Sequence, residues 1–376
     1  MISNEQFLKL LQQSGVQFYT GIPDSLLKHF CACVNDLVEP ENHVIAANEG
    51  SAVALAAGNH LATGRIPLVY MQNSGLGNSI NPILSLADPE VYSIPMLLMI
   101  GWRGEPGLHD EPQHIKQGRI LTGLLESMEI PWMAIGPGTY EYPGVLKKLI
   151  HIATSGQRPV ALVVKKDTFM PYVTRDIDSE AKEMMTREEA LKILIDAFDD
   201  SDIVVSTTGM SSREIFEIRA KRKQGHHRDF LTVGSMGHCS HIALGIAKEK
   251  YERKVYCIDG DGAVIMHMGS LSIIGNHASS NFKHIVINNG AHDSVGGQST
   301  VGLCINIATI AKACGYKDSR QVNKKKELVH SLKWLKDSNG PLLMEVRVKK
   351  GARKDLGRPT RTPIKNKVDF MTNILR

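Results

Sequence analysis

The sequence predicts an α/β protein of two domains, each a parallel sheet with helices on both faces. Three observations carry this reading. Short apolar runs alternate with longer amphipathic stretches along most of the 376 residues. Prolines, glycines and asparagines punctuate the ends of those runs, where the chain must turn. A polar, strand-free stretch near the middle divides the alternation into two comparable halves. Strands covered on both faces read as continuous apolar runs, because neither side meets water.

Taken in order, the first domain is expected over residues 1–173. Residues 16–20 read as a strand, and Asp24 or Ser25 is placed to cap the helix that follows. A second strand at 43–47 leads into an alanine-rich helix over 49–61, opened by Glu49. The third, 67–71, runs into the glycine-rich turn Asn73-Ser74-Gly75-Leu76-Gly77-Asn78. Runs at 95–100, 131–135 and 159–164 complete six strands, the last two entered through Pro131 and Pro159. Residues 174–187 form the linker. Thr186-Arg187-Glu188-Glu189 has the spacing of a capping box and opens a helix ending near Phe198. The second domain, 188–348, repeats the alternation, with strands at 203–206, 230–233, 255–258, 284–287 and 342–348. Helices are expected near 211–221, 237–250, 264–276, 305–314 and 327–336. Residues 349–376 form a basic C-terminal tail.

Composition narrows the class. Hydrophobic residues make up 42% and aromatics 6%, and no apolar run approaches the roughly 18 residues of a membrane span. The first residues lack the basic start and apolar core of a signal peptide. Six cysteines, at 31, 33, 239, 257, 304 and 314, show no paired metal-site spacing. A cytoplasmic protein with reduced thiols is expected. The net charge of +5 is uneven: the tail carries +7 and the remaining residues sum to −2. No aromatic platform or recognition-helix pattern accompanies the tail, so no nucleic-acid partner is expected, and a solvated tail is the simpler account.

The chemistry concentrates at Gly260-Asp261-Gly262 and, after 25 intervening residues, Asn288-Asn289. Both follow apolar strands, so a parallel sheet brings Asp261 and Asn289 to one edge, where ligands of open α/β sheets bind. Asp-Gly alone is ordinary turn chemistry. A carboxylate and an amide oxygen on adjacent loops, however, suit Mg²⁺, which takes its remaining oxygens from water or a phosphorylated cofactor. Glu49 in isolation is a carboxylate favoured by a helix N-terminus.

Together these segments resemble the thiamine-diphosphate decarboxylase family. The resemblance rests on Asn48-Glu49-Gly50 with its alanine-rich continuation, on Gly234-Ser235-Met236-Gly237, and on the acid–amide pair. It implies a pyrimidine-binding domain followed by a diphosphate-binding domain, with thiamine diphosphate and Mg²⁺ as cofactors. Asp261, Asn289 and the main-chain oxygen of Ala291 would hold the metal, within a loop that includes Gly260, Gly262 and Ala263. The Glu49 carboxyl would share a proton with the aminopyrimidine ring. The Gly234 carbonyl would accept from its amino group, beside Ser235, and Met236 would fill the gap beneath the bent cofactor. The middle domain of longer members is absent. So is an adjacent histidine pair in the first domain, for which His226-His227 is no substitute.

Five further segments resemble the short members of the family, whose substrate is a small anionic 2-oxo acid bearing a phosphonate, with a sulfonate as the alternative. These are Gly21–Leu27, Asn73–Asn78, Asp110–His114, Gly209–Glu214 and His292–Gln298. The implied activity is a carbon–carbon lyase of phosphonate biosynthesis. It would be a homo-oligomer with its site between subunits and no membrane partner. Candidate substrate contacts are Asp24, Ser25, Asn73, His109, His114 and Arg213, with Arg353 or Arg358 of the tail as further cations. Two readings of another class compete. A dinucleotide oxidoreductase needs a fuller glycine fingerprint than Gly75-Leu76-Gly77. A non-catalytic thiamine-fold binding protein should have lost Glu49 or a metal ligand, and neither is missing.

Overall fold

In each half the apolar runs assemble into one six-stranded, wholly parallel sheet. The computed structural model describes residues 1–174 and 184–375, and the chain divides into two compact units, Met1–Ile177 and Asp178–Arg376. Unit 1 contains β1 (Tyr19–Gly21), β2 (His43–Ile45), β3 (Leu68–Gln72), β4 (Met96–Gly101), β5 (Trp132–Ile135) and β6 (Pro159–Val164). Its helices are α1 (Asn4–Gln13), α2 (Lys28–Leu37), α3 (Glu49–Thr63), α4 (Leu76–Pro82), α5 (Pro112–Ser127) and α6 (Tyr142–Gly156).

Unit 2 runs α7 (Arg187–Ala197), β7 (Ile203–Ser206), α8 (Met210–Lys221), β8 (Asp229–Leu231), α9 (Cys239–Glu249), β9 (Val255–Gly260), α10 (Asp261–Met266), α11 (Ser270–His277) and β10 (Phe282–Asn288). It continues through α12 (Ile307–Ala313), β11 (Asp318–Val322), α13 (Lys325–Asp337), β12 (Leu342–Arg347) and α14 (Pro363–Ile374). The strand orders, β2-β1-β3-β4-β6-β5 and β8-β7-β9-β10-β12-β11, are the same topology twice. In each sheet the winding reverses between the first and third strands, the switch point where open α/β sheets take ligands.

The apolar runs are continuous because both faces of each sheet are buried. Leu68, Tyr70, Leu97 and Met99 belong to the core on one face of the first sheet, and their neighbours Val69, Met71, Leu98 and Ile100 to the core on the other. In the second sheet Tyr256, Ile258, Ile285 and Ile287 pack on one side, and Val255, Cys257 and Val286 on the other. Each fully buried aliphatic side chain of this kind contributes about 1.5–3 kcal/mol. The sheets are thereby stiff platforms for the loops at their edges.

Several expectations need correction. Neither Asp24 nor Ser25 caps α2, whose first turn follows Leu27 with no side-chain cap. Asp24 instead closes a tight turn by accepting from the Leu26 N–H at 3.0 Å. The stretch Asn73–Asn78 is a single 3₁₀ turn, Asn73–Gly75, running directly into α4. The helix expected over 264–276 begins earlier, at Asp261, and breaks at His267–Gly269 into α10 and α11. Strand β11 has the polar sequence Asp-Ser-Arg-Gln-Val and pairs only with β12 at the sheet edge, so no apolar run announces it. The capping box is formed: Thr186 Oγ1 accepts from the Glu189 N–H at 3.1 Å and Glu189 Oε2 from the Thr186 N–H at 2.7 Å. Most of the expected linker, residues 175–183, lies outside the described residues.

The basic stretch after Lys349 is no solvated tail. Its helix α14 packs on β8, burying Phe370 beside Phe230. Asn366 Nδ2 donates to the Asp229 carbonyl at 2.9 Å, and Asn366 Oδ1 accepts from the Leu231 N–H. Arg353 pairs with Glu217 and Glu188. The excess charge sits on a folded part of unit 2. All six cysteines are free; Cys239 and Cys257 share a thiol–thiol hydrogen bond at 3.8 Å in the core, with no disulfide between them. No described helix is long and apolar enough to cross a membrane.

Candidate active site

In unit 2, four adjacent strands present their carboxyl-end loops side by side, in the order β8, β7, β9, β10. Asp261 is the first residue of α10, immediately after β9. Its carboxylate is buried and accepts from the Thr300 hydroxyl. Burial pushes its pKa up to about 6 against the pull of Thr300 and nearby N–H groups, among them that of Asn289. A carboxylate so poor in solvent is one that a cation would stabilise. Gly302 faces it so closely that a Cβ there would lie 2.6 Å from Asp261 Oδ2. Only a bare backbone fits.

The two asparagines divide the work. Asn288 is structural: Nδ2 donates to the Gly302 carbonyl at 2.7 Å and to Glu345 at 2.8 Å, and Oδ1 accepts from the Gly290 N–H. Asn289 is aimed by a charged chain. Its Nδ2 donates to Asp293 at 2.6 Å, and the same Asp293 oxygen accepts from Arg187 at 2.9 Å. Buried Arg187 is held in turn by a two-point pair with Glu214. This fixes which end of the amide is the nitrogen and leaves Oδ1 facing the loop, where it accepts from the Ala291 N–H at 3.2 Å. Partners of this sort orient metal ligands. Sequence reasoning missed Arg187, Asp293 and Thr300 as support for this loop: Arg187 and Thr300 lie 106 and 39 residues from the carboxylates they bond, and Asp293, four residues from Asn289, is itself held by Arg187.

The segment after β8 has an unusual backbone. Gly234, Ser235 and Gly237 all take positive φ, at 72°, 49° and 84°. For Ser235 this is a sterically costly region, held here by the Gly234 N–H donating to Thr208 Oγ1 at 3.0 Å. A Cβ on Gly237 would strike the His267 ring at 2.4 Å, and one on Gly262 would meet the Met236 methyl at 3.3 Å. The loop carrying Met236 therefore packs directly on α10, which begins with Asp261.

Unit 1 supplies a different group. Glu49 is the first residue of α3, with Asn48 capping the helix by accepting from the Ser51 N–H at 2.9 Å. Its carboxyl is buried, and burial raises its pKa while the Asn78 amide, donating to Oε2 at 2.8 Å, opposes the rise. Gly75 lies against the other oxygen: a Cβ there would be 2.4 Å from Oε1. Gly75→Ala should push the carboxyl aside. With Glu49 in the proton-sharing role that the family resemblance implies, kcat is expected to fall about 100-fold. Isothermal titration should show cofactor affinity nearly unchanged, and unaltered kcat would refute this positioning.

Three of the candidate substrate residues gather at the same sheet edge around a residue the sequence reading passed over, Arg103, which follows β4. Ser25 Oγ accepts from Arg103 Nη1 at 2.6 Å. Asn73 is clasped to the Arg103 main chain in both directions, at 2.8 and 3.2 Å. Asp24 is buried near the guanidinium, its pKa pushed up by burial to about 6. The two histidines flank this cluster, His109 beside the Arg103 partner Asp110 and the His114 main chain against Gly104. His109 is exposed in the loop before α5, and His114 belongs to the first turn of α5. Arg213, in unit 2, donates to the main-chain carbonyls of Leu356 and Gly357.

Comparison with known proteins gives this geometry a family. Residues 1–122 match the N-terminal TPP binding domain of thiamine pyrophosphate enzymes, and residues 207–346 match their C-terminal TPP binding domain. The chain belongs to the thiamine pyrophosphate enzyme family. Phosphonopyruvate decarboxylase of Streptomyces viridochromogenes is 32% identical over 379 residues, covering 96% of this chain and 92% of that protein. The phosphonopyruvate decarboxylase of Streptomyces hygroscopicus is 30% identical with the same coverage. Sulfopyruvate decarboxylase of Methanosarcina acetivorans is 29% identical over 354 residues, 88% of this chain and 87% of that protein.

Proposed function

We propose that this chain decarboxylates 3-phosphonopyruvate to phosphonoacetaldehyde and CO₂, using thiamine diphosphate and Mg²⁺, as a step of phosphonate biosynthesis. The observation that carries the reading is end-to-end similarity to phosphonopyruvate decarboxylases, in a chain that retains a buried acid, Glu49, and an oriented acid–amide pair, Asp261 and Asn289. A non-catalytic binding protein has no use for both.

Thiamine diphosphate, when bound, supplies the electron sink that accepts the pair released as the substrate carboxylate leaves as CO₂. Asp261 Oδ, Asn289 Oδ1 and the main-chain oxygen of Ala291 would hold Mg²⁺, beside the diphosphate-facing residues Gly260, Gly262 and Ala263. A hard cation matches this all-oxygen set, and the buried Asp261 carboxylate would lose its desolvation penalty on meeting it. Gly234, Ser235 and Met236 would line the aminopyrimidine. Glu49 holds and moves one proton at Oε1. Oε2 is tied to Asn78, and burial keeps the carboxyl easier to protonate than one in water.

Relatives named as the alpha and beta subunits of sulfopyruvate decarboxylase support an oligomeric enzyme. The similarity to sulfopyruvate decarboxylase makes sulfopyruvate the second substrate to weigh. One experiment addresses these points. CO₂ release from phosphonopyruvate, sulfopyruvate and pyruvate is followed with and without added thiamine diphosphate and Mg²⁺, and the loaded enzyme is sedimented. Turnover of phosphonopyruvate requiring both additions, by an oligomer, is expected. Turnover of sulfopyruvate in preference would replace the substrate, and a monomer with full activity would remove the oligomer.

A further inference from the structure

Arg103 is the one strongly basic side chain in a cluster that draws on the ends of three adjacent strands, β1, β3 and β4. Its guanidinium is aimed, not floating. Nε and Nη2 donate to the two oxygens of Asp110 at 2.8 and 2.5 Å, the planar two-point pairing that fixes an arginine's orientation. Asp110 is itself saturated, accepting also from the Gly104 N–H at 2.8 Å and the Glu111 N–H at 2.7 Å. These donors hold its carboxyl well below the usual carboxylate range despite partial burial. Its negative charge is thereby spread over four donors. Nη1, on the far side of the fork, meets the Ser25 hydroxyl. Three of the five guanidinium N–H groups are used in these bonds, and the side chain keeps 17% of its surface open.

Position gives the cluster its meaning. The turn that begins at Asn73 is clasped to the Arg103 main chain. Two residues on, Gly75 touches Glu49 Oε1, and five residues on, Asn78 holds Glu49 Oε2. One six-residue segment thus bonds both to the buried acid and to the main chain that carries the guanidinium.

We propose that Arg103 Nη1 and Nη2, with the Ser25 hydroxyl, bind the remote oxyanion of the substrate, and that Asp110 is the positioning residue that aims the guanidinium. This deepens the reading of the chain as a phosphonopyruvate decarboxylase and rests on it for the identity of the oxyanion. A phosphonate offers three oxygens to this fork. Pyruvate, which ends in a methyl group, offers none and gains nothing from it.

The test compares wild type, Arg103→Ala, Arg103→Lys and Ser25→Ala as cofactor-loaded enzymes. Losing a charged, oriented donor set should raise KM for phosphonopyruvate about 100-fold in Arg103→Ala, and losing one hydroxyl about 10-fold in Ser25→Ala. Arg103→Lys should recover part of the loss, since the charge returns without the fork. Titration with phosphonoacetate, which carries the same end group, provides a readout that needs no turnover: its Kd should rise in parallel. Thiamine diphosphate affinity should not move. Equal losses with phosphonopyruvate and pyruvate, or an unchanged phosphonoacetate Kd, would overturn the assignment. Should Arg103→Ala fail to fold, Ser25→Ala and the phosphonoacetate titration decide alone. If the wild type prefers sulfopyruvate, the substrate reading fails separately. The same variants assayed with sulfopyruvate then show whether the oxyanion hook stands.

Discussion

Replacing Glu49 by glutamine should lower kcat by about two to four orders of magnitude, the usual contribution of a placed acid–base group, while making the cofactor-free protein more stable at neutral pH. Both effects have one cause. The Glu49 carboxyl is buried, so its pKa in the folded chain is raised above the unfolded value. Glutamine keeps the Asn78 contact but cannot exchange a proton. The stability sign follows from linkage. Between the ordinary carboxylate pKa and the raised folded value, the folded state binds the extra proton, so wild-type stability falls as pH rises through that window. Below the window both states are protonated, and glutamine imitates the neutral acid closely. The variant should therefore match wild type at pH 4 and exceed it at pH 7 in thermal unfolding of the cofactor-free proteins. A variant that is inactive and equally destabilised at both pH values would mean that Glu49 is structural.

Much of this arrangement was legible in the sequence because strands buried on both faces leave an unmistakable run. Residues 159–164 and 203–206 read as strands and are strands, with the same ends. Loop placement was legible where an unusual residue type follows a strand: Glu49 opens α3, Asp261 opens α10 and Asn289 directly follows β10. What stayed hidden depends on tertiary contact. Edge strand β11 buries little and so carries no apolar signature. Arg103 resembles any surface arginine until three strand ends close around it. Arg187 reads as an ordinary first-turn residue of α7, yet its guanidinium orients Asn289 through Asp293, a residue 106 positions away. The tail was misjudged because net charge suggested solvent, whereas Asn366 and Phe370 anchor α14 to β8. Charge reports what a segment exposes, and it is silent on the few residues by which the segment is held.

Asp261→Ala is expected to affect cofactor loading more than any other substitution. The carboxylate is the only formal negative charge among the proposed metal ligands, so its loss leaves Asn289 and a main-chain oxygen, neither of which offsets a divalent cation. Breaking a buried charge pair from one side typically costs about 3–5 kcal/mol, which corresponds to a weakening of Mg²⁺-dependent thiamine diphosphate binding by about 150- to 5,000-fold. The fold should survive. The side chain lies at the sheet edge, its removal relieves a desolvated carboxylate, and the Thr300 hydroxyl can turn to water. In the cofactor-free protein thermal stability should thus be unchanged or slightly higher. Asp261→Asn should fall between, since it keeps an oxygen but not the charge. The measurement is calorimetric titration of thiamine diphosphate at fixed Mg²⁺, repeated with Mg²⁺ varied. Wild type should show strongly coupled binding of the two, and Asp261→Ala should lose that coupling along with the affinity. If the variant binds the cofactor as tightly as wild type and still depends on Mg²⁺, the cation is held elsewhere, and the assignment of Asp261 and Asn289 as its ligands fails.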